Sequence, residues 1–193
     1  MIYFVPKKIE NNRSDANGGY SDIAVESDCW SIKVCELASN SVLSGGGPFA
    51  AIILQVDSKT GEVLGEWSAT NSVTKTCDPT AHAEVNVIRK VCAELNIFHL
   101  NDETGKTFFV LYSSCEPCPM CLSAIYWAKI QNLFFVANRY DASNGIGGFL
   151  DAEIYEELNK PFAERKIKCY NSQTNNSTKP FELWMESEAR IDY

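Results

Sequence analysis

The sequence predicts an α/β domain, a sheet with helices laid on its faces. Two observations predict it. Apolar runs of strand length alternate with segments whose apolar residues return every three or four positions. Between them stand Gly, Pro, Asn and Asp, so strand gives way to helix at turn chemistry rather than within an element. Alternation of this kind is the pattern of a sheet covered by helices.

The elements follow in chain order. Polar NNRSDANGGYSD places residues 1–27 outside the domain, as an N-terminal extension, and the domain is expected to span 28–193. From Asp28 a helix is expected, because Trp30, Val34, Leu37 and Ala38 share one face; it stops at Gly45-Gly46-Gly47. PFAAIILQVD reads as a buried strand, SKTGE as a turn and VLGEWSA as the antiparallel return. Asp78-Pro79 is expected to open a second helix, with Asp as N-cap and Pro in the first position, running through AHAEVNVIRKVCAELN. After the loop NDETGKT, FFVLYSS is a third strand. Glu116-Pro117 is expected to start a helix in the same way, CPMCLSAIYWAKI, followed by the strand NLFFVAN. Helices near IYEELNK and PFELWMESEARI close the chain, with a strand at IKCYN between them. No internal repeat is visible.

A chain of 193 residues has room for one domain with a full core. Its net charge of −8 argues against a nucleic-acid backbone as partner, since neutralising phosphates takes a clustered basic surface. The tail 152–193 carries six Lys/Arg against eight Asp/Glu, so it is no basic arm. No stretch approaches the roughly 20 apolar residues needed to span a bilayer, and MIYFVPKKIENNRSD has no hydrophobic region of signal-peptide length. The expectation is a cytoplasmic protein that meets neither nucleic acid nor membrane and takes a small neutral substrate. In a reducing compartment, clustered cysteines serve as metal ligands more often than as bridges.

The tightest cluster is CEPCPMC, residues 115–121. Cys118 and Cys121 stand three apart, so on a helix they share a face. Thiolates near a helix N-terminus are stabilised by the positive end of its dipole. His82, near the start of the other helix, adds an imidazole. Two thiolates and one imidazole make a three-donor zinc site with an open fourth position, the pattern of catalytic zinc. Glu84, two residues beyond His82, offers the carboxylate that moves protons to and from the zinc-bound water. His-x-Glu with a later Pro-Cys-x-x-Cys is the signature of zinc-dependent base deaminases. Two other readings stand beside it. A redox pair at Cys118 and Cys121 gives His82 and Glu84 no role, and a structural zinc completed by Cys115 gives Glu84 none. Cys115 reads otherwise as a small buried residue beneath the site, and His99 as a packed histidine.

DPTAHAEVNVIRK together with SCEPCPMCLSAIYWA resembles the guanine deaminase branch of the cytidine-deaminase-like enzymes. The resemblance runs from about residue 30 to the end, through GGPFAAII, GFLDAEIYEELNKPFAERKI and PFELWMESEARIDY. It implies a three-layer α/β/α fold around a mixed five-stranded sheet, one zinc ion per chain, and hydrolysis of guanine to xanthine and ammonia. It makes His82, Cys118 and Cys121 the zinc ligands and Glu84 the proton shuttle. Asn71 would contact the imidazole or N3 side of the purine, and the Ala83 backbone N–H would face the carbonyl oxygen. Asp151 would receive N1–H and the 2-amino group, which suits a carboxylate that only accepts. Phe49 and Trp127 would flank the base. The branch also implies a homodimer whose segment 152–193 is exchanged between subunits, with Tyr193 closing a partner's site.

Each of these residues has a plainer role open to it: Asn71 in a strand-end turn, Asp151 as a helix N-cap, Phe49 and Trp127 in the core, Tyr193 as a loose terminus. The branch's usual Gly-Phe-Asp-Asp stands here as Gly148-Phe149-Leu150-Asp151, so the first acid is lost and the second kept. The extension 1–27 and the connection NDETGKT are unusual for it as well. Guanosine, cytosine and ammeline are alternative substrates, and a zinc-stabilised binding protein is the non-enzymatic alternative.

Overall fold

The computed structural model describes residues 28–143, 148–149 and 151–192, with Asp151 and Ala152 described by backbone alone. The N-terminal extension and Tyr193 lie outside the described residues. The chain divides into two compact units, Met1–Asp151 and Ala152–Tyr193.

In the first unit, α1 (Cys29–Leu43) begins at Asp28, whose carboxylate accepts from Trp30 N–H at 3.0 Å and from the Ser31 hydroxyl at 2.7 Å. It ends at the glycine triplet. Gly45 takes φ +80°, and the Gly45 and Gly46 N–H groups turn back to the Val42 and Ser41 carbonyls, which closes the last turn. Strands β1 (Ala50–Asp57) and β2 (Val63–Thr70) form an antiparallel hairpin, with Ala50 opposite Thr70. A single turn α2 (Val73–Thr76) leads to α3 (Ala83–Leu95). Then come β3 (Thr107–Cys115), α4 (Pro119–Trp127), β4 (Asn132–Ala137) and the short α5 (Arg139–Ser143). The strand order is β2-β1-β3-β4, antiparallel except for the parallel β3–β4 pair joined through α4.

Alternation along β1 feeds two cores. Ala50, Ile52, Leu54 and Val56 pack with Trp30, Val34 and Ala38 of α1. Ala51 and Ile53 pack with Val87 and Val91 of α3 and with Ile125 of α4. Helices therefore cover both faces, and β1 is buried on both sides, as its unbroken apolar run demands.

The second unit contains α6 (Asp151–Asn159), a single 3-10 turn at Phe162–Glu164 and α7 (Lys179–Glu186). The mixed α/β architecture matches the expectation, but among the described residues the sheet has four strands, not five. The expected strand IKCYN does not form. Ile167 and Tyr170 are exposed, and among the described residues no strand lies beside the segment to take up its backbone groups.

The expected helix starts also move. Asp78 Oδ1 accepts from the Thr80 N–H and hydroxyl, so Asp78-Pro79 makes a turn and α3 begins four residues later at Ala83. Glu116 reaches across to Arg139, and the proline in the first turn of α4 is Pro119 rather than Pro117. Both shifts place a candidate ligand at the cap itself.

Candidate active site

One end of the sheet collects several of the candidate residues. The register sets Phe49 before β1, Asn71 after β2 and Cys115 at the close of β3 side by side, because β1 runs antiparallel to both neighbours. The Ala50 N–H donates to buried Ser114 Oγ at 3.0 Å, and the Asn71 N–H to the Phe49 carbonyl at 3.0 Å.

His82 is the N-cap of α3 and Cys118 the N-cap of α4, each in extended backbone, and Cys121 follows in the first turn of α4. His82 Nδ1 lies 3.7 Å from Cys118 Sγ and 3.5 Å from Cys121 Sγ, and the three donor atoms all fall within 4.8 Å of one another. Tetrahedral zinc with Zn–S of about 2.3 Å and Zn–N of about 2.1 Å has N···S edges of about 3.6 Å, so the donor set fits that ion. Cys115 stays outside the group. It is buried, and its thiol donates to the Asn138 carbonyl at 3.8 Å.

Hydrogen bonding and burial push the two thiols of the cluster in opposite directions. A hydrogen bond from Cys121, assisted by His82, holds the Cys118 thiol down at about 4, against burial that works the other way. The same pairing, with burial and the Glu84 carboxylate, pushes Cys121 up. Coordination to a dication would strip that remaining proton.

Glu84 is buried in the first turn of α3. Its Oε2 accepts from Cys121 Sγ at 3.3 Å and its Oε1 from the Ser113 hydroxyl at 3.3 Å. Burial raises its pKa, opposed by its own backbone N–H and by Cys121. The first bond within α3 runs from Asn86 N–H to the His82 carbonyl, which leaves the Ala83 N–H among the donors that have no partner inside the helix.

The remaining expected residues divide. Phe49 is half-buried and its ring meets Phe149 edge-on at 4.7 Å. Asn71 Oδ1 accepts from Val73 N–H at 3.1 Å, so its carbonyl end serves the turn and its Nδ2 end is the part a ligand can use. Trp127 is the last residue of α4 and is exposed, six residues beyond Cys121, or about 9 Å along the axis. The structure does not bring it to the cluster. Asp151 opens α6 with its side chain outside the described residues, and Tyr193 is outside them too.

Three residues escaped the sequence reading. Ser113 touches Glu84. Buried Glu116 pairs with Arg139 at 3.0 Å and accepts the Arg139 N–H at 3.0 Å, anchoring the approach to Cys118. Asn86 gathers three backbone and hydroxyl oxygens. The only signal for Glu116 was a charge inside an otherwise apolar and cysteine-rich stretch.

Structural zinc takes four protein donors; three donors beside a buried carboxylate define the class of hydrolytic zinc sites in which a carboxylate moves the protons. Residues 26–137 match the family model for the cytidine and deoxycytidylate deaminase zinc-binding region. The chain belongs to that family. It is 42% identical over 158 residues to the guanine deaminase of Bacillus subtilis (strain 168), covering 81% of this chain and 92% of the relative. Its structure matches the X-ray structure of guanine deaminase from Bacillus subtilis with a TM-score of 0.73 at 41% identity, over 85% of this chain and 96% of the other. It is also 32% identical over 131 residues to a tRNA-specific adenosine deaminase of Aquifex aeolicus (strain VF5), over 68% of this chain and 75% of the relative. Among the described residues, no helix is long and apolar enough to cross a membrane.

Proposed function

We propose that this chain is a zinc-dependent guanine deaminase, turning guanine and water into xanthine and ammonia. The observation that carries the chemistry is the buried Glu84 carboxylate, 3.3 Å from the Cys121 thiol of the His-Cys-Cys trio. The choice of base is supported by the 42% identity to a guanine deaminase over most of the chain.

His82, Cys118 and Cys121 would hold one zinc ion per chain, which supplies Lewis acidity and a water activated near neutral pH. Glu84 would carry both protons of the attacking water in turn, the first to the ring nitrogen beside C2, where it stays, and the second from the new C2 hydroxyl to the departing amine. A C2–O bond forms, the C2–N bond breaks, and ammonia leaves. A carboxyl whose proton affinity is raised by burial suits this carrier role. Ala83 N–H donates to the purine carbonyl oxygen, Asn71 to the imidazole or N3 side, and Asp151 accepts N1–H and the 2-amino group. Phe49 flanks the base.

The same proposal takes the active form to be a cytoplasmic homodimer, with 152–193 exchanged so that Tyr193 serves the neighbouring subunit. Exposed Phe162, Tyr170 and Phe181 in that segment, and exposed Trp127, are apolar surface that a partner would cover. Sedimentation at the size of a single chain would remove this part.

The test of activity is ammonia release from guanine, guanosine, adenine, cytosine and ammeline by protein of known zinc content. Release from guanine with guanosine inert is the expected result. Silence on guanine with one zinc bound per chain overturns the substrate and leaves the metal chemistry standing.

A further inference from the structure

Asn86 sits in the second turn of α3, half-buried, four residues past His82. Its Nδ2 donates to the Thr70 carbonyl at 3.0 Å, to Ser72 Oγ at 3.1 Å and to the Ala81 carbonyl at 3.2 Å. Asn is a mediocre helix former, and a half-buried amide is unfavourable unless bonded, so these contacts are what the residue contributes. Two of the three acceptors flank Asn71 in sequence. The third immediately precedes His82.

The loop 71–81 holds its local shape through α2, the Asp78–Thr80 turn and the Asn71 N–H to Phe49 carbonyl bond, and Asn86 ties both of its ends to α3. Thr74, Lys75, Thr76 and Cys77 are exposed, and Cys77 takes φ +53°, a conformation unfavourable for a side chain with a Cβ. Its two ends are tied by one backbone bond, Ser72 N–H to the Ala81 carbonyl at 2.9 Å. Its tip carries an exposed ion pair, Arg89 to Asp78 at 3.7 Å, of small worth. We infer that Asn86 is a positioning residue: by clamping both ends of this loop to α3, it sets the place of the Asn71 amide relative to His82 and so determines how the base lies against the catalytic cluster. Asn86 touches neither ligand nor metal in this scheme, and its effect on turnover passes through Asn71. That part rests on the guanine reading above; the clamp itself does not.

Two measurements separate the clamp from the substrate reading. The first is hydrogen exchange in zinc-loaded protein. Asn86→Ala is expected to speed exchange at the Ser72 N–H about tenfold while the middle of α3 is unchanged. Unchanged exchange at Ser72 overturns the clamp whatever the enzyme's substrate is. The second is a double-mutant cycle on kcat/KM for guanine. Asn86→Ala alone is expected to lower kcat/KM about 10- to 100-fold, the scale of a small misplacement, mainly through KM and with zinc content intact. In an Asn71→Ala background the same change is expected to cost less than about twofold. Equal losses in both backgrounds would show that Asn86 acts on stability and not through Asn71, and would overturn the inference. If Asn86→Ala does not fold, Ser72→Ala removes a single acceptor and is expected to give a smaller change of the same kind in both measurements; no change in either overturns it. Absence of guanine turnover in the parent protein removes the substrate reading, and the exchange result then decides the clamp alone.

Discussion

Helix α1 and the pair α3 and α4 all begin from a residue in extended backbone: Asp28 at φ −84°, His82 at φ −71°, Cys118 at φ −64°. Their side chains do different things there. Asp28 turns inward along its own helix and takes the Trp30 N–H and the Ser31 hydroxyl. It also receives the Tyr112 phenol, which burial and the Asp28 carboxylate together push up. His82 and Cys118 make no capping bond. They point their donor atoms at each other, and the positive ends of two helices then face a shared cluster instead of being closed off. One helix is capped for stability; two have given up the cap for chemistry.

Among variants that keep their zinc, the largest effect is expected at the residue that only the chemical end needs. Glu84→Gln should keep zinc and lose about 10²- to 10⁴-fold in kcat. Near-normal guanine turnover by a zinc-loaded variant would end the assignment.

Asp28→Ala removes a cap that serves several donors. It is expected to cost about 2 kcal/mol in urea unfolding, at the upper end for such caps, with kcat/KM for guanine unchanged. A neutral outcome would mean that Asp28 adds nothing a water could not supply.

His82→Asn inverts the trade. Zinc binding and activity should vanish, while the metal-free protein gains about 1 kcal/mol from a proper N-cap on α3. No gain would show that the start of α3 is already satisfied. The smallest effect is expected at the other end of α1. There Gly45→Ala must hold a side chain at φ +80°, for about 1 kcal/mol, without touching activity.

Much of this was legible in the sequence because it rests on local rules. The face Trp30-Val34-Ala38, the glycine stop, the hairpin and the donor types around CEPCPMC all follow from period and residue chemistry. The misread helix starts were failures of another kind. Asp78 and Glu116 each precede proline and look like caps, but one carboxylate closes a local turn on Thr80 and the other finds an arginine 23 positions away. Neither choice leaves a mark in local pattern. IKCYN has strand-like residues, yet a strand exists only with a neighbour, and sequence does not say whether one is present. Asn86 stayed invisible for a related reason: its value lies in three oxygens from a loop whose path the sequence does not show. The flanking role of Trp127 came from resemblance, and within the first unit it stands exposed at the far end of α4 from Cys118.

The donors of the cluster come from His82 and from thiols 36 and 39 positions further along the chain. An unfolded chain can offer zinc two thiols in one segment but brings the imidazole in only at the cost of closing a long loop. Zinc therefore binds the folded chain far more tightly than the unfolded one, and each rise in free zinc above the dissociation constant adds RT ln(1 + [Zn]/Kd) to stability. Retained zinc thus reports on the pairing of β1 with β3 as well as on catalytic competence. A chain that misassembles its sheet is expected to lose its metal and its activity together.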